Sequence, residues 1–166
     1  MTQQEFLEAY DSYADAIFRH CALRLGDREE GKDLMQDTFI RAWEAIVGGI
    51  TVRNMRAYLY RVANNLIIDM VRRRKRRPTS SLEEMMETGF NPPSREKGPA
   101  AVFEERFVLE AFQNIEEPYR TAVILRFIDG LPPREIAALL DVSPNVISVR
   151  VNRGIEKLQS LLSPHG

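Results

Sequence analysis

The stretch from Arg56 to Arg77, RAYLYRVANNLIIDMVRRRKRR, constrains this chain more than any other. Leu59, Val62, Ala63, Leu66, Ile67, Met70 and Val71 recur at spacings of three and four, which is one apolar stripe of an amphipathic helix. The helical pattern then runs without a breaker into the cations Arg72 to Arg77, and Pro78 stops it. One end is anchored in a core while the other carries dense positive charge. The cations suit the negative end of the helix macrodipole, but they repel one another, and a polyanion relieves that repulsion. The reading is a helix that lies against DNA; the competing reading is a solvated charge run.

Net charge is only −1, so the chain as a whole is no generic polyanion binder. The charges are sorted along it. Arg53 to Arg77 carries a net +8, while Asp27 to Glu44 carries −3. Such separation points to two kinds of partner, one anionic and one not. Cys21 is the one cysteine, so no internal disulfide forms, and its apolar neighbours make it a core thiol. His20 and His165 have no ligand cluster around them in sequence, so no metal site and no cofactor are expected. The polar start MTQQEFLEAY is not a signal peptide, and no apolar run approaches the ~18 residues of a membrane span. A soluble cytoplasmic protein is expected, with no membrane insertion.

Periodicity predicts an all-α chain of two small helical domains. Helices are expected over Glu5–Leu25, from Asp27 or Arg28 to Val47, and over Arg56–Arg77, with breaks at Gly26-Asp27 and Gly48-Gly49. Together they make a first domain over residues 1–77. Residues 78–101, rich in Pro, Ser, Gly and Asn, read as a flexible linker, with room for a short helical piece at Leu82–Met86. A second domain is expected over 102–166. Phe107, Val108, Ala111, Phe112 and Ile115 form its first stripe. Tyr119, Ala122, Val123, Ile124 and Phe127 form the next. A short helix, Arg134–Leu140, and a long one running to Leu162, with Leu162 still buried, flank the turn Asp141-Val142-Ser143. Ser143 is a good N-cap and Pro144 suits the first helical position.

Two helices joined by three residues, the second longer, match a helix-turn-helix. The outer face of the second helix carries Asn145, Val149, Asn152, Arg153 and Glu156, with Arg150 on its flank. Asparagine pairs with adenine, arginine with guanine or phosphate, and valine with a thymine methyl. One such unit binds weakly, and the basic helix supplies a second DNA contact through the tether.

Three motifs resemble one family. DLMQDTFIRAW, Asp33 to Trp43, is similar to the second-region helix of bacterial sigma factors. YLYRVANNLIIDMVRRRKRR, Tyr58 to Arg77, is similar to later parts of that region. LRFIDGLPPREIAALLDVSPNVISVRVNRGIEKL, Leu125 to Leu158, resembles their fourth region. The order, the linker and the lack of a third region resemble the extracytoplasmic-function subfamily. The resemblance implies a non-enzymatic protein that binds core RNA polymerase at its β′ clamp helices and β flap and directs it to promoters. It also implies an anti-sigma factor as a partner. It assigns Asp33, Gln36, Asp37 and Phe39 to the polymerase. Arg53, Asn54, Tyr58, Tyr60, Asn65, Arg72, Arg73, Arg74 and Arg76 go to the −10 element, with Asn65 beside a flipped base. Ser143, Asn145, Ser148, Val149, Arg150, Asn152 and Arg153 go to the −35 element. Asn145, Val146 and Ser148 stand where the family commonly has glycine, threonine and lysine, which implies an altered −35 preference. The alternatives are a helix-turn-helix regulator that works without polymerase and an enzyme using Asp33 and Asp37; no glycine-rich phosphate loop or further carboxylate cluster supports the latter.

Overall fold

The computed structural model describes residues 1–76 and 99–163, with side chains described throughout except over 99–104. Among the described residues there are seven α-helices and one π-helical turn: α1 (Gln3–Leu25), α2 (Arg28–Val47), α3 (Met55–Arg76), α4 (Pro99–Gln113), α5 (Tyr119–Val123), the π turn Ile124–Ile128, α6 (Pro133–Leu140) and α7 (Pro144–Leu162). Most of the expected linker, and the helical piece at Leu82–Met86, lie outside the described residues. At its C-terminal edge α4 already begins at Pro99.

Local chemistry sets the helix ends. Thr2 and Glu5 form a reciprocal capping box at α1: Glu5 N donates to Thr2 Oγ1 (3.1 Å) and Thr2 N donates to Glu5 Oε2 (2.8 Å). Gly26 closes α1 at φ 71°, a left-handed conformation that costs glycine little. Asp27 then caps α2, accepting from Glu30 N at 3.0 Å.

The apolar stripes of α1, α2 and α3 meet in a bundle built on Ile17, Cys21, Leu34, Phe39, Leu59, Ala63 and Ile67. Leu125, Leu131, Ile136 and Ile147 belong to the same continuous core. Leu23 of α1 joins a second cluster with Phe112, Ile115, Val123 and Ile124. The two helical halves are therefore packed on each other, with α1 against α4 and the π turn, and α3 against α6. Nothing in the periodicity indicated this, because a stripe records that a face is buried and not what covers it.

Five expected core positions are corrected, the first being Val71 at the far end of the α3 stripe, which is 36% exposed. Phe127 is 54% exposed. The π turn inserts an extra residue into the helical repeat, which rotates Phe127 off the buried side. Phe107 and Val108 are about half exposed, whereas Leu109 and Phe112 carry the contact of α4 with the second cluster. Leu162 is also half exposed, since α7 extends past the core.

Candidate nucleic-acid interface

Helix α3 sorts its residues by angle. At 100° per residue, Tyr58, Arg61, Asn65, Arg72 and Arg76 fall within an arc of roughly 60°. Arg61, Asn65, Arg72 and Arg76 are exposed, and Tyr58 is half-buried at the edge. Arg61 was missed by the sequence reading, although its spacing of four to Asn65 and eleven to Arg72 carried the signal. Two residues apart on a helix is roughly 200°, so Tyr58 and Tyr60 cannot share this stripe. Tyr60 is buried on the opposite side, where its hydroxyl donates to Asp129 Oδ1 at 3.0 Å. Its assignment to a DNA strand is corrected for this arrangement. Arg74 is also turned away and pairs with Glu30 of α2. Arg73 is exposed on the flank of the stripe.

The neighbouring asparagines have opposite environments. Asn65 is exposed, whereas Asn64 is buried and accepts from the Arg24 guanidinium at 2.5 Å. Before the helix, Arg53 is exposed. Asn54 uses its side-chain oxygen to accept from Ala57 N at 3.1 Å, so it caps α3. The Gly48-Gly49-Ile50 turn ahead of it is open, with Gly49 at φ 108° and Ile50 about half exposed.

On α2, Asp33, Gln36 and Asp37 all face outward. Phe39 does not. It is 4% exposed and packs edge-on against Phe6 (6.1 Å between ring centroids) and Tyr10 (4.8 Å). Its expected place on a docking surface is corrected to the core, where the stripe through Met35 and Ala42 carries it. The structure offers a different apolar residue on the outer face: Ile40, 55% exposed, one turn from Gln36 and Asp37. Val47, 67% exposed, continues that side two turns on. The sequence signal for Ile40 was its position off the buried stripe.

Helices α6 and α7 cross around a tight turn. Asp141 takes φ 56° at the end of α6, a left-handed conformation that aspartate tolerates better than most residues. Ser143 caps α7 by accepting from Val146 N at 3.3 Å, so its hydroxyl is used in building the helix. Asn145, Ser148, Val149, Asn152 and Arg153 are exposed, and Arg150 is half-buried. Val146 and Val149 line a shallow groove with Tyr119, Arg150 and Arg153. The Arg153 guanidinium reaches the Tyr119 hydroxyl at 3.4 Å. Lys157 pairs with Glu116 at 2.8 Å and lies over the Tyr119 ring. That pairing raises the lysine's affinity for its proton and lowers the glutamate's. Gly154 sits where a Cβ would strike Val123, which lets α7 approach α5 closely.

Three exposed surfaces thus coexist: an acidic and apolar face on α2, a cationic stripe with an asparagine on α3, and a polar recognition face on α7. The first suits a basic protein surface, and the other two suit nucleic acid.

Comparison with known proteins agrees over nearly the whole chain. The family model for Sigma-70 region 2 matches residues 9–77, and that for Sigma-70, region 4 matches residues 108–158. The chain is 31% identical to the ECF RNA polymerase sigma factor SigW of Bacillus subtilis, over 96% of this chain and 90% of that protein. It is 29% identical to the ECF RNA polymerase sigma factor SigE of Mycolicibacterium smegmatis, over 95% of this chain and 62% of that protein. Among solved structures, the sigma factor RpoE in complex with the anti-sigma factor NepR from Bartonella quintana superposes with a TM-score of 0.73 at 22% identity, covering 96% of this chain and 97% of that one. CnrH in complex with the cytosolic domain of CnrY gives 0.71 at 25% identity, over 97% and 89%.

Proposed function

The chain belongs to the sigma-70 family of RNA polymerase sigma factors, in its extracytoplasmic-function subfamily, and from that premise we propose how its surfaces divide the work. It binds core RNA polymerase and directs promoter-specific initiation. The family acts by binding and not by catalysis, and no enzymatic role is assigned to this chain.

The outer face of α2 docks on polymerase through Asp33, Gln36 and Asp37, with Ile40 replacing Phe39 as the apolar contact. The stripe of α3 takes the −10 element: Arg61, Arg72 and Arg76 hold phosphates, and Asn65 and Tyr58 meet an unstacked base. Helix α7 enters the major groove at the −35 element with Asn145, Val149, Asn152 and Arg153 nearest the bases. The β flap is the polymerase surface proposed for this C-terminal half. The proposed domains are 1–77 and 102–166. One of the solved structures it resembles is a sigma factor bound to an anti-sigma factor, which supports an anti-sigma factor as a further partner. Among the described residues no helix is long and apolar enough to cross a membrane, which fits a factor that works beside polymerase in the cytoplasm.

The observation that carries this reading is the acidic and apolar face of α2 on the same chain as two DNA-facing helices. A regulator that works without polymerase has no use for that face, so that alternative is not favoured. The test is transcription in vitro with purified core polymerase on a fragmented genomic template. Initiation at defined start sites that need this chain is the expected outcome. Failure to join the core enzyme, or joining without defined starts, refutes the proposal.

A further inference from the structure

The two halves meet through a polar contact at the centre of an apolar interface. His20 of α1 is fully buried, and its Nδ1 lies 2.7 Å from Asp129 Oδ2, whose carboxylate is also fully buried. The other carboxylate oxygen accepts from Tyr60 of α3. The tyrosine ring stands edge-on to the imidazole at 5.3 Å. Asp129, at the end of the π turn, therefore joins the C-terminal half to two helices of the N-terminal half. On the far side of the imidazole, Nε2 lies 3.5 Å from the Arg24 guanidinium, which can only donate, so Nε2 is left as the acceptor. This arrangement fixes a neutral histidine that donates from Nδ1 to Asp129.

The surrounding contacts repeat the pattern. Gln113 donates to the Leu23 carbonyl at 3.1 Å, and Arg120 reaches the Arg24 carbonyl at 3.4 Å. Side chains of the C-terminal half thus satisfy carbonyls that the end of α1 leaves open. At the rim, Arg56 of α3 pairs with Glu135 of α6 at 2.6 Å.

This closed form cannot serve a promoter, an argument that rests on the sigma-factor reading. Elements named −10 and −35 lie about 25 base pairs apart, or about 85 Å of duplex. A compact chain of this length has a radius of gyration of about 15 Å. The halves must separate before both elements can be held.

We propose that the Asp129 carboxylate, held by His20 and Tyr60, is an intramolecular latch that keeps the free chain closed and inactive, and that acid releases it. The charged and titratable groups around His20 are Arg24 on its own helix, Tyr60 on α3, Asp129 after the π turn, and Glu117 ahead of α5. Burial holds the imidazole below its ordinary value, and Arg24 lowers it further, against the raising effect of Asp129 and Glu117. In the open form the imidazole regains its ordinary value near 6.5. Closure is therefore fully favoured above about pH 6.5. It weakens as pH falls, by up to about tenfold per unit, because only the open form takes up the proton.

The experiment uses the full chain without polymerase. Dyes on Glu8→Cys and Gln159→Cys report the separation of the halves, solution scattering reports size, and circular dichroism reports helicity. The parent chain is expected to be compact at neutral pH and to expand on acidification with its helicity kept. Asp129→Asn gives an amide oxygen that can satisfy only one of the two donors, and it shifts opening by roughly ten- to a hundredfold at neutral pH. Tyr60→Phe keeps the ring and shifts it the same way by less. His20→Gln retains a donor that does not titrate, so it stays compact and loses the acid response. The latch is overturned if Asp129→Asn and Tyr60→Phe remain helical and as compact as the parent, or if His20→Gln expands in acid as the parent does. Loss of polymerase binding would refute the functional reading without touching these measurements.

Discussion

Removing Arg61, Arg72 and Arg76 together should cut the salt dependence of single-strand binding, whereas removing Arg74 should barely change it. The three lie on one exposed arc of α3 with Asn65, and Arg74 lies on the far side, paired with Glu30. Each phosphate neutralised on a single strand contributes about −0.7 to the slope of log affinity against log salt. Replacing all three stripe arginines with alanine should make the slope shallower by about 2, so a tenfold rise in salt costs the variant about a hundredfold less than the parent. Arg74→Ala should change it by well under 0.7, since a cation already paired releases few counterions. Fluorescence anisotropy with a labelled oligothymidylate, titrated with potassium chloride, measures both slopes. The stripe is exposed with the halves packed together, so the result does not depend on opening. An unchanged slope in the triple variant, or as large a change per charge from Arg74→Ala, would refute the assignment of this face.

Three further outcomes follow from the packing. Gly31→Ala should destabilise the protein by roughly 1–2 kcal/mol in urea unfolding, since overpacking outweighs the helix-propensity gain. A Cβ there would lie 2.7 Å from the Ala22 backbone, which cannot swing aside. A neutral or stabilising result would mean that α1 and α2 cross less closely. Ile40→Asp should weaken binding to core polymerase at least tenfold with little change in thermal midpoint, because this isoleucine is exposed; unchanged affinity removes it from the docking face. Cys21, whose thiol burial pushes up to about 12, should resist a disulfide reagent at pH 8 and react fully once the chain is unfolded. Rapid labelling of the native protein would contradict its burial.

Sequence pattern alone located the helices, the breakers Gly26-Asp27 and Gly48-Gly49 and the Ser143 cap, while the Thr2 and Asn54 caps and the π turn emerged only in the structure. Breakers and caps depend on neighbours within a few positions, and Gly26, Asp27 and Ser143 act within one turn of where they stand. The family was legible for the same reason, since its motifs are local runs. What lay beyond reach was the partner of each buried face. Phe39 and Ile40 are adjacent apolar residues; the stripe through Met35 and Ala42 already set Phe39 inward, and the packing of α1 on α2 showed that Phe6 and Tyr10 cover it while Ile40 stays exposed. Likewise Asn64 and Asn65 are identical in composition, but Arg24, forty positions away, claimed one and left the other to solvent. The contact of His20 and Tyr60 with Asp129 spans separations of 109 and 69 residues, which no local period encodes. Chain chemistry determined which surfaces exist; folding in three dimensions determined which of them remain available and which are closed against each other.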